Sequence, residues 1–134
     1  MWGGSDDQLA VDTVVEALEK GVTTIDTAPV YGFGKSEELV GQAVQEFGNR
    51  DQIQIATKLG LEWDDAGNIQ RNSSRDRILK EVDDSLKRLQ TDYIDIYQVH
   101  WPDLETDFAE TAETLKELLD KGKIRAIGVS NFSP

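Results

Sequence analysis

Apolar residues follow two alternating rhythms along this chain, a helical spacing and a strand spacing of two, and each change of rhythm falls at a glycine, proline, serine or aspartate. Val11, Val14, Val15 and Leu18 share one face of a first helix, which Asp6 or Asp7 would cap and Gly21 would stop. A β-branched strand, Thr23–Asp26, follows and breaks into a turn through Pro29 and Gly32. A serine-led helix is expected from Ser36 to Phe47, with Leu39, Val40, Ala43, Val44 and Phe47 inward and Glu37 and Glu38 in the first turn, where the dipole favours them. Ile53–Lys58 reads as the next strand, and the polar excursion Leu59–Ser73 as a mobile loop or a small hairpin. Ser73 or Ser74 opens a third helix carrying Ile78, Val82, Leu86 and Leu89. The clear alternation of Tyr93–His100 predicts the longest strand. A fourth helix runs from Asp107 to Lys121 with Phe108, Ala112, Leu115, Leu118 and Leu119 inward, and Ile124–Ser130 is a final strand.

Strands and helices thus alternate at a spacing near the ~30 residues of a βαβ unit, which calls for a parallel sheet with right-handed crossovers. The fold class is α/β. An open doubly wound sheet would gather functional residues at one switch point, whereas a barrel draws them from the ends of successive strands. Here the strands end successively in Asp26, Lys58, His100 and the pair Ser130 and Asn131, so a partial (β/α)8 barrel of about four βα units is favoured. Residues 1–134 are read as the N-terminal part of a single barrel domain, incomplete at both ends. Its open sheet edges, and an inner face with Ile25, Ile55, Ile94 and Ile96 as candidates, would favour self-association.

Composition narrows the partners. The 134 residues include no cysteine and one histidine, which excludes a disulfide framework and argues against a protein-ligated metal. A formal charge of −12 opposes binding to nucleic acid and to anionic membranes, and reads as solubility. No apolar run approaches the ~20 residues of a membrane span and no leader pattern opens the chain, so a cytoplasmic location is expected.

Asp26, Tyr31, Lys58 and His100, placed on one rim, make an acid/base set. A phenol, with an ordinary pKa near ~10, is a poor proton donor at neutral pH unless a cation stabilises its phenolate. Lys58 can supply that cation, Asp26 can hold the ammonium, and the imidazole of His100 can hydrogen-bond a substrate oxygen or the phenol. Such a set protonates an oxygen while an electron pair reaches carbon, and a nicotinamide hydride is the natural donor in a chain without a nucleophilic cysteine or a serine elbow.

Four segments carry a family resemblance: DTAPVYG at 26–32, ATK at 56–58, TDYIDIYQVHWPD at 91–103 and IRAIGVSNFSP at 124–134. In their order and spacing the chain resembles the first half of an aldo-keto reductase. The resemblance implies a (β/α)8 barrel that reduces aldehydes and ketones to alcohols with NADPH. It matches Asp26, Tyr31, Lys58 and His100 to the catalytic tetrad, with Tyr31 as general acid and Asp26 also beside the cofactor. Ser130 and Asn131 would bind the nicotinamide carboxamide, and Tyr31, His100, Trp101 and, as a weaker candidate, Trp2 would contact the carbonyl substrate. The family's first strand would precede Met1, and the loops that grip the pyrophosphate and the 2′-phosphate would follow Pro134, so the isolated chain is expected to be inactive. The rival reading is a non-catalytic half-barrel of the same family, acting as a cofactor-sensing or assembly subunit.

Overall fold

The structure of the chain, a computed structural model, describes residues 4–130, with side-chain surroundings given from residue 6 onward. Helix α1 spans Gly4–Glu19, strand β1 Thr24–Asp26, α2 Lys35–Phe47 and β2 Gln54–Leu59. A short hairpin follows, β3 Leu61–Trp63 and β4 Ile69–Arg71, then α3 Arg75–Leu89, β5 Ile94–Val99, α4 Phe108–Asp120 and β6 Ile124–Val129. The four long-range strands form one parallel sheet in the order β1-β2-β5-β6, and β3 pairs antiparallel with β4 in a separate ribbon. Parallel strands joined by helices are an arc of a (β/α)8 barrel, and the expected α/β class and partial barrel are what the chain adopts.

The core lies between sheet and helices. Ile55, Ile94 and Tyr97 from the strands, Val40 and Val44 from α2, Ile78, Val82 and Leu89 from α3, and Leu115 and Leu118 from α4 make one buried cluster. Ile55 and Ile94 are fully buried there, so only Ile25 and Ile96 of the four inner-face candidates stay partly open. The large apolar side chains left exposed on the four-stranded sheet are instead Ile127 and Val129 of β6.

Several boundaries differ from the pattern reading for local reasons. Helix α1 is already formed at Gly4, which puts Asp6 and Asp7 inside its first turn rather than at a cap. Gly34, with φ 97°, is the N-cap of α2, so no serine leads that helix and Ser36 instead bonds the Thr27 hydroxyl at 2.7 Å. The strand β2 begins one residue later than expected and runs past Lys58 to Leu59, and β5 stops at Val99. In α4 the buried line is Thr111, Thr114, Leu115 and Leu118, while Phe108 and Ala112 face outward. Hydroxyls make that possible: Thr111 donates to the Ser73 carbonyl at 2.9 Å and Thr114 to that of Glu110 at 2.8 Å, so two threonines are buried with their polar atoms satisfied.

The excursion after β2 is the hairpin. Leu61 pairs with Arg71 and Trp63 with Ile69, and the Asp64 carboxylate closes the turn by accepting from the Ala66 and Asn68 amides at 2.9 Å each. Its base is drawn shut where the Asn72 amide donates to the Gly60 carbonyl at 2.8 Å.

Candidate active site

The C-terminal ends of the four parallel strands are stitched together by the first residue beyond β1, β5 and β6. Thr27 donates from its amide to the Ala56 carbonyl at 2.8 Å, His100 to that of Leu59 at 2.9 Å, and Ser130 to that of Val99 at 2.9 Å. These bonds hold the first residues outside the sheet as firmly as the sheet itself, and they fix the rim on which the polar side chains stand.

Register decides which side chains meet. Asp26 aligns with Ala56, and Lys58 with Gln98, so these residues share the parity that alternation assigns to one face. The Lys58 ammonium donates to Asp26 Oδ1 at 2.9 Å and to the Thr27 carbonyl at 3.0 Å. Gln98 Nε2 approaches the same Asp26 oxygen at 3.3 Å. Ala56 and Gly128 keep this face shallow, and a Cβ on Gly128 would come within 3.0 Å of Gln98 Cγ, so glycine there leaves the glutamine its place across the strands. Gln98 was not singled out by sequence reasoning, although its parity with His100 in the alternating run at 93–100 marks it.

Tyr31 stands on the turn after β1. Its ring centroid lies 5.3 Å from Lys58 Nζ and 6.0 Å from the His100 ring in an edge-on contact, with the side chain half-exposed. Trp101 stacks on His100 at 6.5 Å and carries the Arg71 guanidinium 5.0 Å above its ring. A second aromatic pair, Phe33 and Trp63 at 5.6 Å, ties the turn that bears Tyr31 to the hairpin. The pKa of His100 is lowered, chiefly because burial penalises its charged form and next because of the nearby Lys58 cation, against a smaller opposing pull from Asp26. A neutral imidazole at pH 7 can therefore accept or donate a hydrogen bond beside the phenol.

The expected quartet of Asp26, Tyr31, Lys58 and His100 is thus gathered at one end of the sheet, with Trp101 alongside. Ser130 reaches the same rim through its bond to Val99, immediately before His100. Asn131 and Trp2 lie outside the described residues. No group of three or more potential metal ligands occurs among the described residues. No described helix is long and apolar enough to cross a membrane.

Comparison with known proteins points in one direction. The model of the Aldo/keto reductase family matches residues 1–134. Aldo-keto reductase YhdN of Bacillus subtilis is 59% identical over 133 residues, covering 99% of this chain and 40% of the relative. The NADH-specific methylglyoxal reductase of Escherichia coli is 44% identical, over 97% of this chain and 44% of the relative. Among solved structures, the glycerol dehydrogenase AKR11B4 from Gluconobacter oxydans superposes with a TM-score of 0.89 at 49% identity, covering 100% of this chain and 41% of that one. An aldo/keto reductase from Klebsiella pneumoniae in complex with NADP and acetate gives 0.83 at 33% identity, over 98% and 42% of the two chains. The chain therefore spans about two-fifths of the length of the proteins it matches.

Proposed function

The chain belongs to the Aldo/keto reductase family, and from that premise we propose that it carries the acid/base rim of an NADP-linked reductase that converts aldehyde or ketone carbonyls to alcohols. The observation that carries this reading is the Lys58 ammonium, 2.9 Å from the Asp26 carboxylate and 5.3 Å from the centre of the Tyr31 ring.

Tyr31 is the general acid. A carbonyl oxygen within reach of its hydroxyl and of the His100 imidazole would accept a proton from the phenol as carbon is reduced. Lys58 compensates the charge left on the phenol, and Asp26 together with the Thr27 carbonyl keeps the ammonium from turning away. The neutral state of His100 suits it to orient the substrate oxygen without competing as an acid. Trp101, stacked on His100, supplies an apolar wall for the substrate.

The rim also fits a nicotinamide carboxamide. Ser130 combines a hydroxyl, both donor and acceptor, with a backbone pinned beside His100, and Asn131 follows it in sequence. NADP, when bound, supplies the hydride. The charge of −12 on this chain offers little to its phosphates, which fits their being held by other parts of a complete barrel.

The test is a complete barrel in which this segment replaces the matching part of its 59% identical relative. NADPH-dependent reduction of a simple aromatic aldehyde should fall by about 10²-fold or more in Tyr31→Phe, with cofactor affinity held near the parent's. Unchanged turnover would assign the proton to another group. A second reading, an assembly subunit that works by association, is favoured by one feature: among the described residues β1 and β6 each pair on one side only, and Ile127 and Val129 of β6 are exposed.

A further inference from the structure

Helix α3 turns a polar line toward the sheet. Arg77, Glu81, Ser85 and Arg88 recur at helical spacing, and Glu81 and Ser85 are buried to 2% and 0% exposure. Glu37 of α2, also at 0%, joins them from the neighbouring helix. These groups meet β2 on both sides of Lys58. Thr57 donates its hydroxyl to Glu37 Oε2 at 2.7 Å, and the Gly60 amide donates to Glu81 Oε2 at 3.2 Å. A guanidinium lies beside each carboxyl group: Arg88 donates to Glu37 Oε1 at 3.0 Å, and Arg77 Nε lies 3.5 Å from Glu81 Oε2.

Buried ion pairs are a poor source of stability, because desolvation consumes much of the attraction and well-packed apolar residues often serve as well. What such groups give that apolar packing cannot is direction. Hydrophobic contact is indifferent to small slides of a strand along its own axis, whereas a hydrogen bond fixes a particular atom at a particular height. Alternation sends Thr57 toward the helices and Lys58 toward the rim, so an anchor on Thr57 sets the height of Lys58 directly. The second anchor holds the first residue past the strand, Gly60, where φ is 96° and the chain leaves for the hairpin.

We propose that Glu37 and Glu81 are positioning residues for Lys58: two buried carboxyl groups, one from each helix behind β2, hold residues 57 and 60 and so set where the lysine ammonium meets Asp26 and Thr27. The role assigned to Lys58 rests on the functional reading above; the contact it makes does not.

The experiment therefore reads the lysine contact rather than turnover. In the 134-residue chain labelled on lysine, the cross-peaks between the Lys58 ε-methylene and the neighbouring Thr27 would be compared in the parent, Thr57→Val, Thr57→Ser, Glu81→Met and Glu81→Gln. Loss of the Lys58 contact in Thr57→Val and Glu81→Met is expected, with recovery in Thr57→Ser and Glu81→Gln, which restore a hydroxyl donor to Glu37 and an acceptor for Gly60. Variants that melt earlier yet keep the Lys58 contact would overturn the proposal and leave the carboxyl groups a purely structural part. Should Glu81→Met fail to fold, the Thr57 pair decides, since its change is small in volume. No cofactor or substrate enters the measurement, so a barrel that proves unable to reduce carbonyls leaves this result standing, and a failure here leaves the role of Tyr31 untouched.

Discussion

Lys58 and Asp26 share a hydrogen bond of 2.9 Å yet live in different solvents: the lysine side chain is 8% exposed and the aspartate 61%. The pair is a buried stem held at its tip by an open carboxylate. Because solvent screens the exposed partner, the contact contributes little to folding, and its value lies in aiming the ammonium.

Asp26→Asn should accordingly separate activity from stability. In the complete barrel described above, carbonyl reduction is expected to drop on the order of tenfold or more, because a one-ångström drift of a positioned group is enough to slow chemistry. The melting temperature of the same variant should stay close to the parent's, since Thr27 still accepts from Lys58. A large fall in melting temperature with unchanged turnover would reverse the assignment.

His100, the only histidine in the chain, gives a direct electrostatic readout. Its folded-state pKa lies below the ordinary 6.5, with burial as the main cause and Lys58 the next. The sign is that of a base harder to protonate when folded: its contribution to stability is full above 6.5 and is lost as pH falls below that value. Proton NMR should show its ring titrating below 6.5, and Lys58→Met should move the midpoint only part of the way back, because the burial remains. An upward midpoint in the parent would contradict the buried placement beside Tyr31.

Glu81 reports with the opposite slope. Burial pushes its carboxyl from 4.5 up to about 8, against the pull of Arg77 and of the Gly60 amide, with Glu37 adding repulsion and Arg88 attraction. Tyr97 from β5 is the other buried titratable group coupled to it, and Glu62 of β3 shares Arg77. Between those two values the folded chain keeps a proton that the unfolded chain has lost, so this contribution is present at low pH and disappears as pH rises through about 8. Urea unfolding from about pH 6 to about pH 9 should show the parent losing stability relative to Glu81→Gln. Parallel curves would mean that Glu81 is ionised throughout.

The half-barrel reading has its own test. Among the described residues each edge strand pairs on one side, and Ile127 and Val129 are 41% and 62% exposed. Light scattering at micromolar concentration should give a mass above the 15.0 kDa of one chain, increasing with salt as the charge of −12 is screened. Lysine at both positions should restore the single-chain mass. A parent that stays at one-chain mass throughout would rule out association through β6.

The sequence disclosed the rim far better than the interior. Asp26, Lys58 and His100 could be placed because period-two alternation and Pro/Gly turns mark where strands stop, and an error of one residue at Leu59 or Val99 leaves their neighbours in reach. Glu37 does lie in the first turn of its helix, where the dipole favours a carboxylate, but nothing in its own segment shows that it is buried there or that Arg88, 51 positions on, pairs with it. Glu81 and Ser85 were missed for the same reason. Glu81 is met by the Gly60 amide, 21 positions away at the end of β2, and a linear pattern carries no trace of that approach. In α4, Thr111 and Thr114 took the inward line from Phe108 and Ala112 because backbone carbonyls satisfied their hydroxyls.

The hairpin closed by Asn72 and Gly60 has a consequence for engineering. Its two feet stand at a single hydrogen bond of 2.8 Å, so what it carries adds no span that the barrel must bridge. Doubling the length of such an insert raises only the closure entropy, by about 0.6 kcal/mol. The segment behaves as a cassette: its tip, residues 64–68 between Trp63 and Ile69, can be exchanged, lengthened or grafted from another protein while the frame beneath is left alone. Its links to the rim are the touch of Trp63 on Phe33 and the Arg71 guanidinium over Trp101, which makes those two contacts the fittings a designer would have to preserve.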